Sequence, residues 1–92
     1  MAEKRVNIMV CGLVQGVGFR MYVAREASAR NLSGWTRNRQ NGSVEIEAQG
    51  NKGLVDELIR QVQIGPSRAR VTSIKVRETA IDAADSGFRI LT

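Results

Sequence analysis

A segment with three glycines, running from Gly12 to Arg20, joins a strand-like pattern to a helix-like one. On the N-terminal side of this segment, Val6, Ile8 and Val10 alternate with less apolar residues, which predicts a strand with one strongly apolar face. On the C-terminal side of this segment, the chain is rich in alanine and lacks glycine and proline for about three helical turns, which predicts a helix. The chain must turn sharply between these two elements, and glycine permits the positive φ angles of such a turn.

This glycine turn has the chemistry of an anion site. Successive backbone N–H groups in such a turn form a concave nest that favours an anion. A following helix adds its unpaired first-turn N–H groups and the positive end of its dipole. Arg20 would add a planar guanidinium that matches two phosphate oxygens. The segment lacks the ending of the P-loop and the spacing of the dinucleotide fingerprint, so it predicts a phosphate cradle of another kind. The alternative is a glycine-rich connection whose Arg20 only meets solvent.

The remaining patterns predict one further helix and four further strands. Helices are predicted over residues 20–30 and 54–62, and strands over 34–38, 43–49, 71–78 and, as a short fifth strand, 88–91. Asn41-Gly42 between two strand patterns is a strong hairpin signal, and Gly65-Pro66 ends the second helix. Asn31 is expected to cap the first helix in the left-handed conformation.

The predicted order is β-α-β-β-α-β with a short fifth strand. This is the ferredoxin-like sandwich of the α+β class, an antiparallel sheet with two helices on one face. No repeat or linker interrupts residues 1–92, so we expect a single domain. Ile74 and Val76 of the fourth strand are expected to point inward. The aromatic residues are all expected in the core: Phe19, Tyr22, Trp35 and Phe88.

The composition narrows the classes of function. The chain has no histidine and a single cysteine, Cys11, so Ser-His-Asp and Cys-His catalysis and an internal disulfide are excluded. The same counts argue against a structural zinc site. One cysteine and no apolar segment long enough to span a membrane predict a cytoplasmic protein. The net charge of +5 attracts anions in general and does not choose between small phosphates and nucleic acid.

Two sequence motifs together resemble the signature of the acylphosphatase family. They are the nonapeptide from Gly12 to Arg20, GLVQGVGFR, and the hexapeptide from Ser33 to Asn38, SGWTRN. The resemblance continues through Asn41 to Glu45 and Gly65-Pro66 and covers nearly the whole chain. Members of that family hydrolyse the mixed carboxylic–phosphoric anhydride of small acyl phosphates without a metal or other cofactor. The resemblance therefore implies a small stand-alone acylphosphatase, an acid-anhydride hydrolase.

The resemblance also implies roles for residues of both motifs. Arg20 would hold the phosphoryl oxygens, and Asn38 would hold and orient the attacking water. The phosphate would also meet the backbone N–H groups of the loop, those of Gln15, Gly16, Val17, Gly18 and Phe19. Asn38 cannot act as a general base, because an amide does not titrate near neutrality. The water's proton must then go elsewhere, and the substrate phosphate is our candidate. Inorganic phosphate or sulfate is expected as a site ligand, and the protein is expected to be a monomer.

Two other functions fit part of the sequence. RNA-recognition modules share this fold class, and the chain is basic, but such modules stack bases on aromatic residues across the sheet. Here the outward positions of the strands carry Asn7, Met9, Glu45 and Glu47, which argues against nucleic acid as a partner. The second alternative is a regulatory or delivery domain of the acylphosphatase type, as found at the front of larger carbamoyl-transfer proteins. No partner domain accompanies the motifs in these 92 residues, which favours the stand-alone enzyme.

Overall fold

Strands and helices follow one another in the predicted order in the computed structural model of the protein, which describes residues 2–92. The elements are β1 (Glu3–Leu13), α1 (Phe19–Ala29), β2 (Ser33–Asn38), β3 (Val44–Asn51), α2 (Lys52–Ile64), β4 (Arg70–Thr79) and β5 (Phe88–Ile90). The strands form one sheet in the order β4-β1-β3-β2-β5. The ferredoxin-like prediction is confirmed, and the short fifth strand is present.

The fifth strand makes the sheet mixed rather than wholly antiparallel. β1 pairs antiparallel with β3 and β4, and β2 pairs antiparallel with β3, as predicted. β5 instead runs parallel to β2, with Gly34 opposite Phe88. The reason is the connection through residues 80–87, which carries the chain from β4 at one edge of the sheet to the opposite edge. The chain reverses its direction on the way, and β5 therefore runs the same way as β2.

The core lies between the sheet and the two helices. The inward positions of β1 are Val6, Ile8 and Val10, each at most 1% exposed, so the predicted apolar face of this strand is confirmed. Helix α1 adds Phe19, Val23 and Ala27, helix α2 adds Val55, Leu58 and Val62, and β3 adds Val44, Ile46 and Ala48. Burying one large aliphatic side chain stabilises the fold by about 1.5–3 kcal/mol. This layer therefore supplies most of the stabilisation.

Two residues that were expected in the core lie elsewhere. Val76 pairs with Ile8 on the helix side of the sheet, but it is 43% exposed. The reason is that β4 is an edge strand, and α2 packs mainly over β1 and β3. Trp35 projects from the face opposite the helices, where it is half-buried beneath Arg37, whose Cζ lies 5.3 Å from the ring centroid. The inward position on β2 belongs to Thr36, which is fully buried.

The turns follow the local sequence signals. Asn31 has φ 56°, so the predicted left-handed cap is confirmed. The hairpin loop, residues 39–43, joins β2 to β3 and closes with Arg39 N–H donating to the Ser43 carbonyl at 2.9 Å. Gly42 has φ 91° and donates its N–H to the Arg39 carbonyl at 3.1 Å. The Asn41 side chain accepts from both the N–H and the hydroxyl of Ser43, at 3.0 and 2.6 Å. The hairpin is therefore well fixed where it follows Asn38.

The sheet face opposite the helices, called the open face, carries a polar network around Arg5, Asn7, Glu45 and Glu47. One carboxylate oxygen of Glu45 accepts from Arg37 at 2.9 Å and Arg39 at 2.8 Å, and the other accepts from Asn7 at 2.9 Å. Burial alone raises the pKa of the Glu45 carboxyl. The hydrogen bonds from Asn7, Arg39 and Arg37 outweigh burial, and the pKa of Glu45 lies below its usual value. The charged carboxylate therefore ties the hairpin loop to β1.

We expect the contribution of Glu45 to depend on pH. Glu45→Gln should lower the free energy of unfolding at pH 7 by about 1–3 kcal/mol, because charge-assisted hydrogen bonds are lost. The folded-state pKa of Glu45 lies below the unfolded value, so this stabilisation is full above about pH 4 and disappears as the pH falls through the folded pKa. Urea unfolding of both proteins at pH 7 and pH 3 measures the difference.

The matched control is Glu78→Gln, at an exposed carboxylate of β4. It should change the free energy of unfolding by less than about 0.5 kcal/mol at either pH. An equal destabilisation by Glu45→Gln at pH 7 and pH 3 would contradict the assignment.

Candidate active site

The two sequence motifs meet at one edge of the sheet. β1 and β2 both run antiparallel to β3, so they run in the same direction and their carboxyl ends reach the same edge. β1 continues there into the cradle loop, defined as residues 14–18, and β2 ends there at Asn38. Asn38 is paired with Val44, whose side chain is buried under the helices, so Asn38 projects from the helix side of the sheet. The loop and the asparagine are therefore on the same side of the sheet.

A cavity of ≈ 220 Å³ lies between the cradle loop, α1, Asn38 and β5. Its lining consists of Val14, Gly16, Gly18, Phe19, Arg20, Met21, Asn38 and Ile90. The structure thus brings together five of the residues singled out from the sequence. The other two, Gln15 and Val17, do not line this cavity. Val17 packs against the core, and the side chain of Gln15 turns toward the hairpin loop.

The backbone of the cradle loop is suited to an anion. Gly16 and Gly18 have φ angles of 75° and 77°, and a Cβ added at either residue would meet no atom within 4 Å. The glycines therefore provide the left-handed turn and leave open space beside the backbone. Among residues 2–92, no hydrogen-bond acceptor pairs with the backbone N–H groups of residues 15–19. Gly18 is also the N-cap of α1, whose first turn contains no acidic residue, so the positive end of the helix dipole is not neutralised there.

Arg20 occupies the first turn of α1, beside the loop. Its Nη1 donates to the backbone carbonyl of Leu91 at 3.2 Å. Leu91 is held in turn by its N–H, which donates to the Thr36 carbonyl at 2.9 Å. The chain after β5 therefore steadies the guanidinium against β2. A guanidinium has five N–H donors, and Arg20 has no ion-pair partner among the described carboxylates, so donors are left for a bound anion.

Asn38 is exposed, and within residues 2–92 its side-chain amide makes no hydrogen bond. Its two neighbours in the chain, Arg37 and Arg39, both pair with Glu45. This pairing draws the flanking cations toward the open face and away from the cavity. The Asn38 amide, which offers both donors and an acceptor, is then the polar side chain that faces Arg20 across the cavity.

Three features of the site could not be identified from local sequence patterns. Ile90 lines the cavity, Leu91 contacts Arg20, and the side chain of Gln15 binds the hairpin loop. Each joins parts of the chain that are far apart in sequence, 71 residues in the case of Arg20 and Leu91. Hydrophobic periodicity and turn signals report on neighbours along the chain, so they contain no indication of these contacts.

Across the described part of the chain, no three His, Cys, Asp or Glu side chains cluster in a way that could hold a metal ion. Neither helix within residues 2–92 has the length and apolar character needed to cross a membrane. Cys11 is an exposed free thiol on the open face.

Comparison with known proteins identifies the family. The acylphosphatase family model matches residues 6–90. An acylphosphatase from Chlorobaculum tepidum is 70% identical over 92 residues, which is 100% of both chains. The crystal structure of an acylphosphatase from Bacillus subtilis superposes with a TM-score of 0.93 at 38% identity, covering 97% of this chain and 99% of that one. Full-length HypF, solved in a phosphate- and nucleotide-bound form, matches with a TM-score of 0.87 at 29% identity. The match covers 99% of this chain and 12% of HypF.

The chain belongs to the acylphosphatase family. The family resemblance, the fold class and the assignment as an acyl phosphate hydrolase are thereby confirmed.

Proposed function

We propose that the chain hydrolyses small acyl phosphates to a carboxylate and inorganic phosphate in the cavity between the cradle loop and Asn38. The backbone N–H groups of residues 15–19 and the Arg20 guanidinium bind the phosphoryl oxygens. Asn38 binds a water molecule and aims it at phosphorus, on the side opposite the leaving carboxylate. The observation that supports this assignment most directly is that Arg20, Asn38 and the two loop glycines line the same cavity.

The proposed mechanism uses positioning and electrostatics. Phosphoryl transfer requires that the charge on the equatorial oxygens is stabilised and that the nucleophile is aligned with phosphorus. Hydrogen-bond donors and fixed charges can meet both requirements without a general acid or base. A carboxylate is a good leaving group, so little acid catalysis is required. The attacking water loses its proton to a phosphate oxygen of the substrate. The new P–O bond forms as the bond to the acyl oxygen breaks, and the electron pair leaves with the carboxylate.

The apolar part of the cavity suits the acyl group. Met21 and Ile90 line the cavity beside Arg20, and both are partly exposed to solvent. With the phosphoryl group held by the loop, the acyl group of the substrate lies against these two side chains. Inorganic phosphate, and sulfate as its mimic, are the corresponding ligands of the loop alone.

The proposed function also includes the location, the oligomeric state and the partners of the protein. We infer a cytoplasmic monomer whose residues 1–92 act as one domain, consistent with a family match that spans nearly the whole chain. Nucleic acid is not proposed as a partner, because Glu45 and Glu47 already pair with arginines of the open face. The likeness to part of HypF keeps a delivery-domain role as the alternative. The match to the acylphosphatase from Chlorobaculum tepidum, which covers 100% of that relative, favours the stand-alone enzyme.

The most direct test is phosphate release from benzoyl phosphate. We expect turnover that persists in excess chelator and varies weakly from mildly acidic to neutral pH, because the proposed mechanism uses no metal and no protein side chain as general acid or base. A simple alkyl phosphate monoester should not be hydrolysed detectably under the same conditions. Complete loss of activity in chelator, or a steep bell-shaped pH profile unrelated to the substrate's own ionisation, would overturn the proposal.

Arg20→Lys should keep a positive charge and lose most of the activity. An ammonium cannot engage two oxygens in one plane, so kcat/KM should fall by about 10²-fold or more, with losses in both phosphate binding and turnover. The matched control is Arg25→Lys at an exposed position on α1, which should leave the kinetics unchanged. Near-normal hydrolysis by a well-folded Arg20→Lys protein would remove Arg20 from the central role.

Asn38→Ala should separate turnover from binding. We expect kcat to fall by about 10²-fold or more, because the water is no longer aligned, while the affinity for inorganic phosphate changes little. Gln40→Ala, at an exposed amide in the hairpin loop, is the control. If Asn38 were only structural, Asn38→Ala would lower the melting temperature and leave turnover per folded molecule intact.

A further inference from the structure

The side chain of Gln15 joins the cradle loop to the hairpin loop. Its Nε2 donates to the backbone carbonyl of Arg39 at 2.7 Å and to that of Ser43 at 2.9 Å. A primary amide nitrogen carries two N–H donors, so both are used. The same two residues close the base of the hairpin loop, because the Arg39 N–H donates to the Ser43 carbonyl. One half-buried side chain thus binds both sides of the hairpin where it leaves the sheet.

These contacts bridge a gap that the sheet leaves open. The cradle loop follows β1 and Asn38 ends β2, but β3 lies between these strands, which places them about 10 Å apart. Backbone pairing connects the two halves of the cavity only through β3. The Gln15 amide connects them directly, and it does so at Arg39, the residue that follows Asn38.

We infer that the side chain of Gln15 is a positioning residue that sets the distance between the phosphate cradle and Asn38. The inference rests on the proposed function and adds a second role for this residue. The backbone N–H of Gln15 belongs to the cradle, whereas its side chain fixes the hairpin that carries the water-binding asparagine. The separation between phosphorus and the attacking water then depends on one amide and two backbone carbonyls, in addition to the pairing of β1 and β2 with β3.

This role affects turnover and phosphate affinity differently. The phosphate is held by the loop backbone and Arg20, neither of which requires the Gln15 side chain. The water is held by Asn38, whose backbone shifts when the amide is lost. A displacement of about 1 Å between reacting groups can cost about 10²-fold in rate. We therefore expect a large loss in kcat and a change of at most about threefold in the affinity for inorganic phosphate.

The test uses Gln15→Met, which keeps the length of the side chain and removes both donors. Its kcat for benzoyl phosphate should fall by about 10²-fold, with inorganic phosphate affinity nearly unchanged. Gln63→Met, at an exposed position on α2, is the matched control and should behave like the parent protein. Unchanged kcat in folded Gln15→Met, or equal losses of kcat and phosphate affinity, would overturn the inference.

Gln15→Glu provides a readout that a purely structural role would not move. An ionised carboxylate has no donor and would face two carbonyl oxygens, whereas the protonated acid regains one O–H donor. Activity of Gln15→Glu should therefore increase, relative to the parent protein, as the pH falls through the pKa of the new carboxyl. If Gln15→Met does not fold, the pH dependence of Gln15→Glu activity relative to the parent protein tests the inference in its place. A relative activity that is independent of pH overturns the inference.

Failure of this inference can be distinguished from failure of the proposed function. If the parent protein does not hydrolyse benzoyl phosphate, the proposed function itself is wrong. If Arg20→Lys and Asn38→Ala lose activity while Gln15→Met retains it, only the positioning role of Gln15 is wrong.

Discussion

Both halves of the candidate site depend on the pairing of β3 with its two neighbours. β1, on one side of β3, ends at the cradle loop, and β2, on the other side, ends at Asn38. A slip of one residue in the pairing of β2 would turn Asn38 to the open face. The registers are held by packing, since Ile46 lies opposite both Ile8 and Thr36 and all three are fully buried. The packing that stabilises the fold therefore also places the site.

The site itself contributes little to that packing. Two side chains that are 1% exposed, Val14 and Phe19, anchor the cradle loop at its ends. Between them, Gly16 and Gly18 have open space around their backbone. Unpaired N–H groups would be costly in the core but can be hydrated at this exposed turn. The loop thus keeps its donors available for a ligand while its ends are fixed by the hydrophobic layer. Changes to ligand-binding groups can then alter activity without unfolding the protein.

The sequence predicted what is local and missed what depends on distant parts of the chain. The alternation in β1 and the left-handed cap at Asn31 are local properties of the chain, and both predictions were correct. The prediction that Trp35 lies in the core was wrong, because alternation along β2 does not say which face of the strand is buried. The parallel direction of β5 depends on a crossover that no local pattern encodes. At the site, Arg20 and Asn38 were recognised by resemblance to a family, and only the structure shows that they line one cavity.

The chemistry of the cavity suggests how one class of phosphates is selected. None of the side chains lining it, which include Arg20, Asn38, Met21 and Ile90, can deliver a proton to a leaving oxygen near neutral pH. An alkoxide leaving group needs such a proton, whereas a carboxylate does not. A cradle of N–H groups and one guanidinium would bind the phosphoryl group of an acyl phosphate and of an alkyl phosphate monoester alike. Selection for acyl phosphates then lies in the leaving group's own stability, and the site needs no specific contact with the acyl chain to enforce it.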